Sequence, residues 1–174
     1  MSTYGLAIIA DLPDEPTAHQ LLTQLTTTLT PDDDPDHAIT PHPDHGTRLI
    51  INAPGLVANH QEHDIFTGLP AGRAIVCEDG DEYGVTFSAW QFHNGTPTCI
   101  YNAYVDAGDR DPDTAARTLT GTTAATTLAT LYNTNPQPLL DLETDPTPIR
   151  DEIGIIASPF LPWLHALHLD WPQP

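Results

Sequence analysis

Lysine is absent from the 174 residues, and the five basic residues are all arginine: Arg48, Arg73, Arg110, Arg117 and Arg150. That absence excludes a phosphate-cradling loop of the Walker type, a Schiff-base lysine and the strand lysine of protein kinases. Cysteine is nearly absent. Cys77 and Cys99 make neither a disulfide framework nor a paired-cysteine metal motif, so free thiols in a cytoplasmic protein are expected. Long apolar runs are missing as well. Tyr4-Gly-Leu-Ala-Ile-Ile-Ala10 is too short to span a bilayer and has no basic segment before it, which argues against a signal peptide.

Positive charge is scarce. With 24 acidic residues the formal net charge is −19. Binding nucleic acid through its phosphates needs clustered cations, and an anionic membrane surface would repel the chain, so neither partner is expected. The acidity has three readings: a solvated surface, adaptation to high salt, or electrostatic steering toward a basic partner.

What is present centres on 82–105. Two runs rich in β-branched and aromatic residues, Glu82–His93 and Thr96–Val105, meet at Asn94-Gly95, a strong hairpin signal. A two-residue turn sets Trp90 against Cys99 and Phe87 against Asn102, mixing polar and apolar on both faces. A three-residue loop, His93-Asn94-Gly95, pairs Ala89 with Cys99, Phe87 with Tyr101 and Val85 with Ala103. This second register is preferred because it gathers one apolar face. The opposite face then carries Thr86, Ser88, Trp90, Phe92, Ile100, Asn102 and Tyr104.

Along the chain, 4–10 reads as a strand buried on both faces. Ala18, Leu21, Leu22, Leu25 and Leu29 recur at helical spacing after Pro16. Strands are expected near 37–40, over 47–53 and over 73–78, where the turn Asp79-Gly80 leads into the hairpin; 54–72 is ambiguous. Asp111-Pro112 caps a helix drawn to Tyr132, weakened by threonines and Gly121, and Ser158-Pro159 starts another. The expected fold is a single α+β domain over 1–174. It has an antiparallel sheet (meander about 73–105), helices at about 16–29, 112–132 and 159–169, and an irregular proline-rich connection at 133–150.

Catalytic motifs are few. His60-Gln-Glu-His63 matches neither His-Glu-x-x-His nor its inverse, and an exposed polar segment is the plainer reading; the same holds for His165 and His168. The acidic loops 32–36 and 106–111 lack calcium-loop spacing, and Glu78-Asp-Gly-Asp-Glu82 is a turn bearing four acids. No nucleophile elbow or dinucleotide fingerprint occurs. No catalytic residue, cofactor or metal site is therefore expected. The enzymatic alternative is a metal-dependent hydrolase using His60, His63 or the loop aspartates. A nucleic-acid mimic would need acids in two regular rows, whereas these cluster in loops.

A binding function fits better. Trp90, Phe92 and Tyr104 among small polar groups, flanked by Asp79, Asp81 and Glu82, have the composition of an interface core, unless a helix covers that face. A small acidic α+β chain, with a meander through Tyr83–Val105 followed by a helix begun at Asp111-Pro112, resembles the bacterial immunity proteins of polymorphic toxin systems. These include the type that restrains a secreted NAD-hydrolysing necrotising toxin in actinobacteria. The resemblance implies a non-enzymatic cytoplasmic inhibitor that binds a basic cognate toxin and occludes its active site. It assigns no individual residue.

Overall fold

The computed structural model describes residues 5–28, 35–54 and 62–171. Its strands are β1 Gly5–Leu12, β2 Asp36–His42, β3 Gly46–Ala53, β4 Ala71–Asp79, β5 Val85–His93 and β6 Thr96–Val105. They form one antiparallel sheet in the order β2-β3-β1-β4-β5-β6. The helices among the described residues are α1 Glu15–Thr28, α2 Glu62–Phe66, α3 Pro112–Ala115, α4 Thr122–Tyr132, α5 Gln137–Thr144, α6 Thr147–Arg150 and α7 Leu161–Ala166. The fold class is α+β, as the sequence predicts. No helix among the described residues is long and apolar enough to cross a membrane.

The chain resolves into two compact units, and each is built from discontinuous segments. The first joins Tyr4–Glu78 to Ala89–Cys99. Here β1 pairs with β3 in the register Ile8↔Ile51 and Asp11↔Arg48. Asp14 caps α1 by accepting from the Thr17 N–H at 2.8 Å and the Thr17 hydroxyl at 2.6 Å, the role an N-cap carboxylate serves for an orphan donor. The helix turns Ala18, Leu21 and Leu25 onto alternate residues of the strands, among them Leu6, Ile8, Leu49, Ile51 and Val76. Ala7 and Ile9 are buried too, so β1 is covered on both faces.

The second unit joins Asp79–Ser88 to Ile100–Trp171. Trp163, from α7, stacks on Phe87 with ring centroids 5.1 Å apart, and Phe87 meets the edge of Tyr101 at 6.3 Å. From α4, Ala124, Ala125, Leu128 and Ala129 are buried. Gly84 has φ +97, and a Cβ there would collide with the Val105 carbonyl oxygen, so the tight passage into β5 needs glycine.

The structure corrects several expectations. The hairpin turn has two residues, not three: Asn94 and Gly95 both have positive φ, +50 and +80, between a strand ending at His93 and one starting at Thr96. Alternation from that turn would put Phe87 and Tyr101 on opposite faces, yet their rings touch. Both observations are met if the register shifts by one residue along the hairpin, for example through an extra residue in β5 between Phe87 and Trp90. The unbroken buried run Phe87–Trp90 fits such a bulge.

The helix expected over 112–132 is broken. Leu119 leaves it to exchange backbone hydrogen bonds with Asn102, at 2.7 and 2.9 Å, and Gly121 at φ +96 starts α4 afresh. The stretch 133–150 is not irregular, since Pro138 and Pro148 sit in the first turns of α5 and α6, where a missing N–H does no harm. The C-terminal helix is shorter than 159–169: a 3₁₀ turn over Ser158–Phe160 precedes α7. His168 at φ +57 then lets the Leu169 N–H reach the Leu164 carbonyl at 2.9 Å, a helix-ending pattern of the Schellman kind. Of the ambiguous 54–72 stretch, 62–66 is helical; the candidate ligand His60 and the acids Asp32, Asp33 and Asp34 lie outside the described residues.

Candidate functional site

The aromatic face expected on the hairpin does not exist as a surface. Trp90 is 8 % exposed and Phe92 2 %, and both rings pack on Phe66 of α2, at 5.6 and 4.8 Å. The Trp90 indole N–H donates to Glu62 Oε2 at 3.2 Å. Both side chains belong to the first unit's core, whereas the preferred register points them away from the apolar face.

Tyr104 alone among the predicted anchors stays half-exposed, and it organises the acidic residues. Its hydroxyl donates to the Tyr83 carbonyl at 2.6 Å and accepts from the Asp111 N–H at 2.9 Å. Burial, and the carboxylates of Asp106 and Asp111, push that hydroxyl's pKa up against the opposing Asp111 N–H, so the proton given to Tyr83 is retained. The bond ties a 3₁₀ turn, Asp81–Tyr83, to the loop that leads into α3.

Both tied segments are set locally. Asp79 is buried, and its carboxylate accepts the Asp81 N–H at 2.9 Å; Asp81 itself is at φ +54. Gly80 donates to the Gly84 carbonyl at 2.8 Å, closing the turn. Asp111 accepts from the Asp113 N–H, the Thr114 N–H and the Thr114 hydroxyl, at 2.9, 3.3 and 2.8 Å. The Thr114 hydroxyl bond above all holds the Asp111 carboxyl below its ordinary pKa. The two segments that Tyr104 links carry six acids, Asp81, Glu82, Asp106, Asp109, Asp111 and Asp113, and two cations, Arg110 and Arg117, and Tyr83 on the first of them is 50 % exposed. Tyr104→Phe should cost about 1 kcal/mol and speed hydrogen exchange at the Asp111 amide. An unchanged exchange rate would show that the loop is held by other contacts.

Sequence reasoning missed a second cluster. Asp11, 2 % exposed, takes Arg48 Nε at 2.7 Å and Nη2 at 3.0 Å. It also takes Arg73 Nε at 2.9 Å and Nη2 at 2.8 Å. Two of the chain's five cations thus converge on one carboxylate. His45, its ring stacked on His42 at 5.2 Å, has its pKa pushed down by burial and then by Arg73. The arginines belong to β3 and β4, so the cluster ties three strands together. An arginine ahead of the apolar run in each of two strands, Leu49–Ile51 and Ala74–Cys77, was the available signal.

The remaining candidates do not assemble. Burial, and Glu78 beside it, push the Cys77 thiol far up, the reverse of an activated nucleophile. His63 is exposed on α2, 3.6 Å from Asp64, and His165 and His168 are exposed. Among the described residues no three His, Cys, Asp or Glu side chains are grouped to hold a metal. No family model matches the chain, and neither a curated protein nor a solved structure matches it.

Proposed function

We propose that the protein is a non-enzymatic binding protein that engages a basic protein partner through the edge fixed by Tyr104. It would act as a cytoplasmic immunity protein acts when it occludes the active site of a cognate toxin. The observation that carries this reading is the Tyr104 hydroxyl joined to both Tyr83 and Asp111. The joint pre-orders an acidic surface around an exposed ring, so little conformational freedom is lost on binding.

The anchors differ from those the sequence suggests. Tyr83 takes the place of Trp90 and Phe92, and a tyrosine with a rigid ring suits an energetic centre. Asp81, Glu82, Asp109 and Asp113 supply the field that steers a cationic partner and raises its association rate at low salt. Asp79, being buried, acts on the turn and not on the partner.

The test begins with capture of a partner from the native host's lysate, identified by mass spectrometry and then purified. A stoichiometric cationic partner is expected, with an association rate that falls as salt rises. Tyr83→Ala should weaken its affinity by about tenfold or more with an unchanged melting temperature. Glu82→Arg together with Asp109→Arg should slow association. A partner indifferent to all three substitutions would overturn this reading.

A further inference from the structure

Within the second unit, the loop 151–157 joins α6 to the 3₁₀ turn that precedes α7. Ile149 before it and Phe160 after it are buried. Between them Ile155 and Ile156 stand out at 56 % and 73 % exposure, two adjacent branched apolar side chains turned to water. Hydrogen bonds fix the loop in that shape. The Ile155 N–H donates to the Glu152 carbonyl at 3.1 Å, and the Ser158 N–H to the Ile155 carbonyl at 3.1 Å. Across the base of the loop the Ser158 hydroxyl donates to Glu152 Oε2 at 2.5 Å. Gly154 and Ala157 both have positive φ, +93 and +72. For alanine that region is unfavourable and persists only where the surroundings impose it. A braced and strained loop thus holds the two isoleucines outward, and folding alone gains nothing from that exposure.

We propose that Ile155 and Ile156 form a knob that docks in an apolar pocket with a cationic rim on a partner protein. The charge around the knob selects the rim. From Asp141 to Ser158 the chain carries Asp141, Glu143, Asp145, Asp151 and Glu152 against Arg150 alone. Isoleucine has few rotamers to lose, and the brace leaves little loop ordering to be done on binding. An anionic membrane would be repelled by the same carboxylates. A second copy of the chain would set one net charge of −19 against another. The inference rests on the reading that the partner is a basic protein, and it adds a second contact to the one at Tyr83.

The experiment has two arms. In the first, the probe is a β-cyclodextrin carrying a primary ammonium group on each sugar, an apolar cup with a cationic rim. It is titrated into protein labelled with ¹³C at the isoleucine methyl groups. The Ile155 and Ile156 signals should shift saturably with a Kd of about 1 mM, while those of the buried Ile8 and Ile51 stay still. Unmodified β-cyclodextrin should bind about threefold more weakly. No shift with the cationic cup, or equal binding of the two cups, would overturn the proposal. So would isoleucine signals that broaden with phosphatidylcholine vesicles or with rising protein concentration, since the knob would then dock on lipid or on a second copy.

In the second arm the ligand is the cationic protein captured from the native host's lysate and purified. Ile155→Ser together with Ile156→Ser should weaken it about tenfold or more, through faster dissociation, with an unchanged melting temperature. Unchanged affinity would overturn the proposal. Should the double variant melt below the parent, Ile156→Ala, which truncates only the more exposed side chain, takes its place. Affinity lost in Tyr83→Ala but not in the isoleucine variant leaves the reading built on Tyr104 standing and removes this one. The opposite pattern does the reverse, and an empty capture overturns both.

Discussion

Replacing Asp11 with alanine should lower the unfolding free energy by about 3 kcal/mol. Asp11 is the shared acceptor of Arg48 and Arg73, and its removal takes from both guanidinium groups the carboxylate between them. The attraction of the intact cluster is not the quantity at stake. Desolvating three charged groups already consumes much of it, and the loss comes from taking the countercharge away from two cations where water reaches them poorly. The Arg48 side chain is 22 % exposed and Arg73 11 %, which places the effect at the lower end of values known for broken buried pairs. Urea denaturation gives the measurement. A midpoint shift worth less than ~1 kcal/mol would mean that both arginines swing out to solvent, as surface pairs allow.

The same cluster fixes a dependence on pH. Burial alone pushes the Asp11 carboxyl up, but hydrogen bonds and charge from Arg48 and then Arg73 outweigh it and leave the group below its ordinary value of 3.8. A depressed folded-state pKa means that the unfolded chain takes up protons first. The contribution of Asp11 is therefore present above the unfolded-state value of 3.8 and is lost as the pH falls through the lower folded-state value. Acid titrations of the parent and of Asp11→Asn should differ in stability at neutral pH and converge in strong acid. Parallel curves down to the lowest pH would contradict the assignment.

Trp90→Ala should cost about 3–5 kcal/mol, and through the fold, not through recognition. The indole sits among Phe66 and the other core residues of the first unit, so alanine leaves a large void and also removes the donor to Glu62. Trp90→Phe refills most of the volume and should recover more than half of the loss. The pair of variants separates packing from the indole bond. A Trp90→Ala protein that melts like the parent but no longer binds its partner would return this residue to the surface.

How much was legible follows from how far apart in sequence each determinant lies. Asn94-Gly95 announces its turn within two residues, and the capping of α3 by Asp111 before Pro112 within four. The faces of the hairpin are not legible because Phe87, Ser88, Ala89 and Trp90 are all buried, so packing on both sides of β5 hides the alternation that the sequence reading relies on. The prolines of 133–150 suggest an irregular connection, although at the first turn of a helix proline is favourable. Gly121 reads in the sequence as a weak point of one long helix, but Leu119 finds a strand partner, Asn102, that local periodicity cannot show. The acidic edge was half legible: its carboxylates are plain in the sequence, while the Tyr104 hydroxyl that gathers them joins residues 83, 104 and 111. Asp11, Arg48 and Arg73 are separated by 37 and 62 positions, and only the finished sheet brings them together.

The two units are interleaved along the chain, since the segment Ala89–Cys99 returns to the first after Asp79–Ser88 has entered the second. Synthesis runs from the N-terminus, so a growing chain stopped at Glu78 holds β1 to β4 without Trp90 and Phe92, two of the aromatic residues of that core. On the ribosome the N-terminal half therefore has no complete interior to close around until the hairpin has emerged. By then the chain has already set Val85 and Phe87 in the other unit, whose remaining residues, 100–171, are still to be made, so the first unit acquires its last core aromatics while the second is still incomplete.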